Sequence, residues 1–268
     1  MTTTGYVHGY SELEARRLGD QADTLAELLH AGTSYPAGSR VLEVGCGVGA
    51  QTVHLLASSP GAVITAIDLS ANSLAQARRR VGDAAELLQG DLFALPFADG
   101  SYDHLFVCFV LEHLEDPVRA LTGLRRLLTP GGTITVIEGD HGSAFHHPVS
   151  AWAQATIDCQ VALQKEAGGD ALLGRQLQPL LAGAGYEQVA VRPLTVYVDE
   201  TRPDLVEGFT RNTFIAMIAA VRDEAVAAGY ITEAAWDRGI ADLRRTAGPG
   251  GTFHYTFCKA TARVLGNP

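Results

Sequence analysis

Acidic residues at strand tips, one glycine-rich turn and one histidine carry the chemistry that can be read from this chain. Val41-Leu42-Glu43-Val44 is an apolar strand that runs straight into Gly45-Cys46-Gly47-Val48-Gly49, and a helical pattern from Gln51 to Ala57 follows. Glycines at such a turn permit positive φ and let backbone approach a ligand with no Cβ in the way. The helix behind them offers unpaired N–H groups. A second strand, Ala62 to Ile67, ends at Asp68, 25 residues beyond Glu43. A carboxylate at that tip can accept both hydroxyls of a ribose. A third strand, Ala85 to Gln89, leads to Asp91 and Leu92, where the acid can accept an amino-group hydrogen bond from a purine and Leu92 and Phe97 can pack on its faces. Glu138-Gly139-Asp140-His141, at the C-terminal end of the fifth strand, places two acids and an imidazole where ligands bind in α/β sheets. His141 can act there as a general base near neutral pH, oriented by Asp140 or Glu138.

The spacing excludes two nucleotide sites. The dinucleotide fingerprint wants its third glycine three positions after the second, whereas Gly45, Gly47 and Gly49 alternate and Ala50 occupies that place. The phosphate-binding loop also fails, because no Gly-Lys-Ser/Thr follows. Ser70 and Asn72 suit the start of the next helix better than Asp68 does, which leaves Asp68 for a ligand.

Elements must hold these residues together. Strands are predicted near 40–44, 63–67, 86–89, 103–110 and 133–138, with helices near 50–58, 71–80 and 117–128. This alternation predicts an α/β fold with a parallel sheet covered on both faces. An amphipathic helix from Ser11 to His30 precedes it. Beyond Asp140 the spacing predicts helices over 149–166 and from Gly174 to Gly183–Gly185, a strand over 188–198, helix through 203–247, and a last strand from Thr252 to Val264.

The segments VLEVGCGVG, ITAIDLS, GDLFALPF, SYDHLFVCFVLEHLEDP and LTPGGTITVIE, in that order, resemble the class I S-adenosylmethionine-dependent methyltransferases that modify small molecules. The resemblance covers about residues 37 to 140. It implies a Rossmann-like, seven-stranded, mostly parallel sheet whose last strand is antiparallel and pairs with its predecessor. It also implies S-adenosyl-L-methionine as cofactor. Glu43 and the Gly45-Cys46-Gly47-Gly49 turn would lie under the methionine and ribose, Asp68 and Leu69 at the ribose, Asp91 and Leu92 at the adenine, and Val110 over the cofactor beside the fourth strand. In this fold the amino-terminal segment often folds over the cofactor, so Tyr10, Arg17 and Gln21 are candidates for the methionine end, Arg17 by pairing with its carboxylate. That cofactor carries no phosphate, and no Lys or Arg lies between Arg40 and Arg78.

Against that fold the helical residues between the last two strands are an insertion. The expected division is an N-terminal helical segment over the cofactor site (1–36), a core (37–198 and 251–268) and a helical cap (199–250). Phe209, Phe214, Met217 and Trp236 of the cap suit a closed apolar pocket. The insertion could instead pair two copies into a homodimer.

Composition bounds the function. The chain has 268 residues, 47% of them apolar, enough for one α/β domain with insertions. A formal net charge of −10 disfavours a nucleic-acid partner, whose phosphates want a basic face. No apolar run has membrane-spanning length. The four cysteines have no paired spacing, and His146-His147 lacks companion ligands, so neither a disulfide framework nor a metal site is expected. The reading is a cytoplasmic enzyme that methylates O, N or C of a small, partly apolar molecule. Its alternative is a protein of the same fold that holds S-adenosylmethionine while steering a non-methylating reaction such as a cyclisation.

Overall fold

The computed structural model describes residues 12–265. Strand and helix alternate as expected: α1 (Glu12–Leu29), β1 (Arg40–Val44), α2 (Ala50–Ser58), β2 (Val63–Asp68), α3 (Ala71–Val81), β3 (Glu86–Gln89), β4 (Tyr102–Cys108), α4 (Pro117–Arg125) and β5 (Leu128–His147). Then come α5 (Ala151–Glu166), α6 (Leu177–Gly183), β6 (Glu187–Val198) and β7 (Thr252–Arg263). The sheet has seven strands in the order β3-β2-β1-β4-β5-β7-β6. β7 runs antiparallel to both of its neighbours, and the pairings among β1 to β5 are parallel.

The strands are apolar on both faces because both are covered. Alternate residues feed separate cores. Val41, Phe106 and Ile137 pack on one side with Leu25 of α1 and Leu55 of α2. Leu42, Leu105 and Val136 pack on the other with Leu121 and Leu124 of α4 and Leu177 and Leu181 of α6. Helix starts follow ordinary capping chemistry: Ser70 Oγ accepts from Ser73 N–H, and an Asp116 carboxylate oxygen accepts from Arg119 N–H with Pro117 beside it.

Helical residues fill the gap between β6 and β7. A short turn (α7, Pro203–Leu205) leads into a π-helix (Val206–Ile215), followed by α8 (Ala216–Ala219), α9 (Arg222–Ala227) and α10 (Glu233–Arg245). The π-helix packs on α1, and α10 packs on α5. Gly208 of the π-helix lies against Thr24 of α1, where a Cβ would collide.

β5 departs from expectation. It begins at Leu128, with a register break between Tyr102 and His104 of β4 that absorbs Pro130-Gly131, and it continues to His147. Glu138 to His141 therefore lie within the strand, not beyond its end. The extension exists because β7 is long enough to pair with it as far as His147↔Thr252, across a second register break between Asp140 and Phe145. The polar, glycine-containing run Gly139 to Ser143 has little strand propensity alone.

Lys259 of β7 ties the first helix to the sheet. Its Nζ donates to the Leu29 carbonyl at 2.9 Å, to the Ala31 carbonyl at 2.9 Å and to Thr33 Oγ1. These are carbonyls that the end of α1 leaves without helical partners. Burial pushes the amine down to about 8. Lys259→Met should leave the buried Leu29 carbonyl and Thr33 hydroxyl without this donor and cost about 2–3 kcal/mol, read from the urea unfolding midpoint. A change below about 0.5 kcal/mol would mean that the anchor does not matter.

Candidate functional site

The glycine turn is stitched to the tip of β2. Gly45 N–H and Cys46 N–H both donate to the Ile67 carbonyl, at 2.8 and 2.9 Å, and Gly47 N–H donates to Asp68 Oδ2 at 2.8 Å. Gly45 has φ 72°, and a Cβ there would lie 2.5 Å from Val110 Cγ2. Val110 thus packs over the turn. Gly47 has φ 53°, a conformation that favours glycine, with open space where a Cβ would point. Gly49, also left-handed, precedes α2 and packs on Ala77.

Asp68 is not the cap of α3, which is Ser70. Its Oδ1 accepts from Ser70 N–H and its Oδ2 from Gly47 N–H, so each oxygen keeps a lone pair for a ligand hydroxyl. Burial raises its pKa. Asp91 Oδ1 accepts from Phe93 N–H in a tight turn at the end of β3. Two apolar side chains stand in solvent beside these acids, Leu69 at 60% exposure and Phe93 at 40%. Leu92 and Phe97 are partly buried against the second core. Glu43 lies deep below the turn with Oε2 unpaired, and burial, then the charge of Asp68, pushes it up to about 7. Cys46 is buried, and burial raises its thiol. All four cysteines are free thiols.

Beside the glycine turn and the tips of β2 and β3, together the groove, a cavity opens over the end of β4 and the paired stretch of β5 and β7. It holds about 580 Å³ of atom-free space, its open mouth included. α1 contributes Arg17, Leu18 and Gln21; the π-helix contributes Phe209, Thr213 and Phe214; Met217 and Phe257 complete the apolar wall. The floor is polar: Glu112, His113, Gly139, His141, Gln164 and Tyr255. Phe109, next to Val110, joins cavity to groove, and its φ of 58° is rare for an aromatic residue.

Of the expected catalytic group, only His141 faces this space. Successive residues of a strand point to opposite faces. Gly139 and His141 therefore line the cavity while Glu138 and Asp140 turn away. Glu138 Oε1 accepts from Val110 N–H at 3.1 Å and Leu111 N–H at 2.8 Å, holding the turn after β4. Asp140 forms a two-point pair with Arg175, at 2.7 and 2.9 Å. Neither acid orients the imidazole. Tyr255 does: its hydroxyl lies 2.9 Å from His141 Nδ1. His141 Nε2 is buried without a hydrogen-bond partner, as is Glu112 Oε2. Burial pushes His141 down to about 4 and Glu112 up to about 7, Arg17 opposing the latter shift.

The N-terminal candidates divide. Arg17 and Gln21 line the cavity and are joined by a 3.2 Å hydrogen bond, whereas Tyr10 lies outside the described residues. Phe209, Phe214 and Met217 line the cavity, and Trp236 is core instead. Arg211 donates to the Ala247 carbonyl, away from the cavity. Sequence reasoning missed Glu112 and Gln164 as cavity residues. Gln164 is fixed by donating to the Glu112 carbonyl, a contact 52 residues apart with no local signature.

Among the described residues no group of three or more potential metal ligands is assembled, and no helix is long and apolar enough to cross a membrane.

Residues 42–136 match a family model described as a methyltransferase domain. An uncharacterized 37.1 kDa protein in a transposon of Streptomyces fradiae is 36% identical over 221 residues, 79% of this chain and 59% of that protein. A demethylmenaquinone methyltransferase of Clavibacter sepedonicus is 38% identical over 104 residues, 38% of this chain and 42% of that protein. The chain thus spans less than two thirds of the length of these relatives. The solved structure of the [4+2]-cyclase SpnF shares the fold, with a TM-score of 0.58 and 23% identity over 91% of this chain and 82% of that one. The segment that carries the groove is a methyltransferase domain of the class I, S-adenosylmethionine-dependent kind. The sheet around it, with β7 reversed, is that class's Rossmann-like fold.

The buried state of His141 has a consequence for stability. An ordinary histidine takes its proton near 6.5, so as pH falls the unfolded chain protonates before the folded one, held at about 4. Stability tied to His141 is intact above 6.5 and is lost as pH falls toward about 4. Relative to wild type, His141→Gln should therefore gain about 2 kcal/mol between pH ~7.5 and pH ~5 in urea unfolding. A difference that stays constant over that range would contradict a neutral, buried imidazole.

Proposed function

We propose that this chain binds S-adenosylmethionine along the edge formed by β1 to β4 and moves its methyl group to a small, partly apolar acceptor in the adjoining cavity. The observation that carries the reading is the meeting of two unlike spaces at Phe109 and Val110. One is an acid-tipped groove with a glycine floor. The other is an aromatic-walled cavity whose floor holds an unpaired imidazole nitrogen.

In this reading Asp68 receives the ribose hydroxyls, with Leu69 beside it. Asp91 receives the adenine amino group, with Leu92 against the ring. The backbone of Gly45, Cys46, Gly47 and Gly49 lies under the methionine and ribose, braced from below by Glu43 and closed by Val110. Arg17 and Gln21 hold the methionine end. The donor set suits this cofactor: acids for hydroxyls and an amine, and exposed apolar side chains for a base. S-adenosylmethionine supplies a methyl group on a positively charged sulfur.

The chain's own part is alignment and proton removal. The walls of Phe209, Phe214, Phe257 and Met217 exclude water and orient the acceptor. His141 Nε2 takes the proton from an acceptor oxygen or nitrogen that carries one. An uncharged imidazole is ready for this at neutral pH. A second reading keeps the cofactor without consuming it, and the aromatic walls then steer a rearrangement such as a cyclisation. Accumulation of the demethylated cofactor during turnover separates the two.

Asp68→Ala should weaken S-adenosylmethionine binding by about 1–3 kcal/mol, the scale of a charged hydrogen bond, as measured by calorimetry on protein shown by circular dichroism to be folded. Unchanged affinity would remove the ribose assignment and the groove with it.

A further inference from the structure

Tyr255 enters the cavity from β7. Its ring is packed edge-on to Phe209 and tilted against Phe214 and Phe257, so it has little freedom. Its hydroxyl stands over Gly139. A Cβ at that glycine would lie 2.5 Å from Tyr255 Oη and 3.7 Å from Glu112 Oε2, so the absent side chain is what lets the two oxygens share the space. The hydroxyl reaches His141 Nδ1 at 2.9 Å, and His141 N–H is held separately by the Ala171 carbonyl at 2.9 Å. Backbone and ring are therefore fixed from two sides, and the nitrogen left over is Nε2, buried and without a partner.

A neutral imidazole carries one proton on one of its two nitrogens. If Nε2 carries it, the ring cannot take a proton from an acceptor in the cavity. If Nδ1 carries it, Nε2 offers a lone pair. A phenol hydroxyl can accept from Nδ1–H while its own proton turns elsewhere.

We propose that Tyr255 is a positioning residue: its oxygen accepts the Nδ1–H of His141 and so keeps Nε2 bare toward the cavity as the proton acceptor. This rests on the methyl-transfer reading. The acceptor's O–H or N–H bond breaks as its bond to the methyl carbon forms, and the electron pair of the carbon–sulfur bond stays on sulfur. The proton passes to Nε2, so the positive charge that began on sulfur ends on the imidazolium. Nδ1–H remains bonded to Tyr255 throughout, and the ring need not turn.

The test reads the tautomer on the protein itself. In ¹⁵N-histidine-labelled protein near neutral pH, the His141 signals, assigned by their loss in His141→Gln, should show Nδ1 protonated and Nε2 bare. In Tyr255→Phe the balance should move to the Nε2–H form, while affinity for S-adenosylmethionine stays within about twofold. A wild-type spectrum with the proton on Nε2 would overturn the proposal, and so would a tautomer unaltered in Tyr255→Phe. Should that variant not fold, the wild-type spectrum decides alone. The tautomer is measured without cofactor, so failure here is distinct from failure of the cofactor assignment, which calorimetry reports separately.

Discussion

The antiparallel ladder between β5 and β7 is the constraint on which the rest depends. In the core of the sheet it joins Thr133 to Arg263 and Ile137 to Lys259, and it then runs past the edge where the parallel strands stop. That overrun brings His141 and Tyr255, 114 residues apart, within hydrogen-bond distance. It also sets the alternation that sends Gly139 and His141 into the cavity and Glu138 and Asp140 out of it. The same strand anchors α1 through Lys259, and α1 supplies Arg17 and Gln21 to the cavity wall. A slip of one residue in this pairing would exchange the faces and dismantle the floor.

The two spaces differ in how they treat charge. At the glycine turn burial raises Asp68, while the N–H groups of Ser70 and Gly47 oppose that shift. In the cavity, burial works against charge: His141 is held neutral, Glu112 is pushed toward neutrality, and Tyr255 is raised far above the ordinary phenol range. Glu138, raised by its own burial, spends its one paired oxygen on the turn that separates the two spaces. Its role is architectural: it fixes Val110, and through Val110 the height of the roof over Gly45.

Much of the groove was legible because its signals are local. A strand, a glycine turn and a helix follow one another within about fifteen residues, and Asp68 and Asp91 each sit at the tip of a strand whose apolar run announces it. The cavity was not legible in that way. His141 could be picked out by residue type, but its partner was misassigned to neighbours in sequence, which a strand necessarily points elsewhere. The fifth strand's end was set too early, because a run containing Gly139, Gly142 and three histidines becomes a strand only when β7 supplies the other half of its ladder. In the helical insertion, Phe209, Phe214 and Met217 reach the cavity while Trp236 fills core. Apolar periodicity marks all four alike, and only the π-helix packing on α1 decides which of them face inward.

If the acids at the strand tips, not a phosphate cradle, select the ligand, the groove holds S-adenosylmethionine and not a dinucleotide. Calorimetric titration of the purified protein with S-adenosylmethionine, its demethylated product and NAD tests this most directly. The account predicts saturable one-site binding of the first two and none of NAD. Binding of NAD, or failure of both sulfur compounds to bind the folded protein, would contradict it.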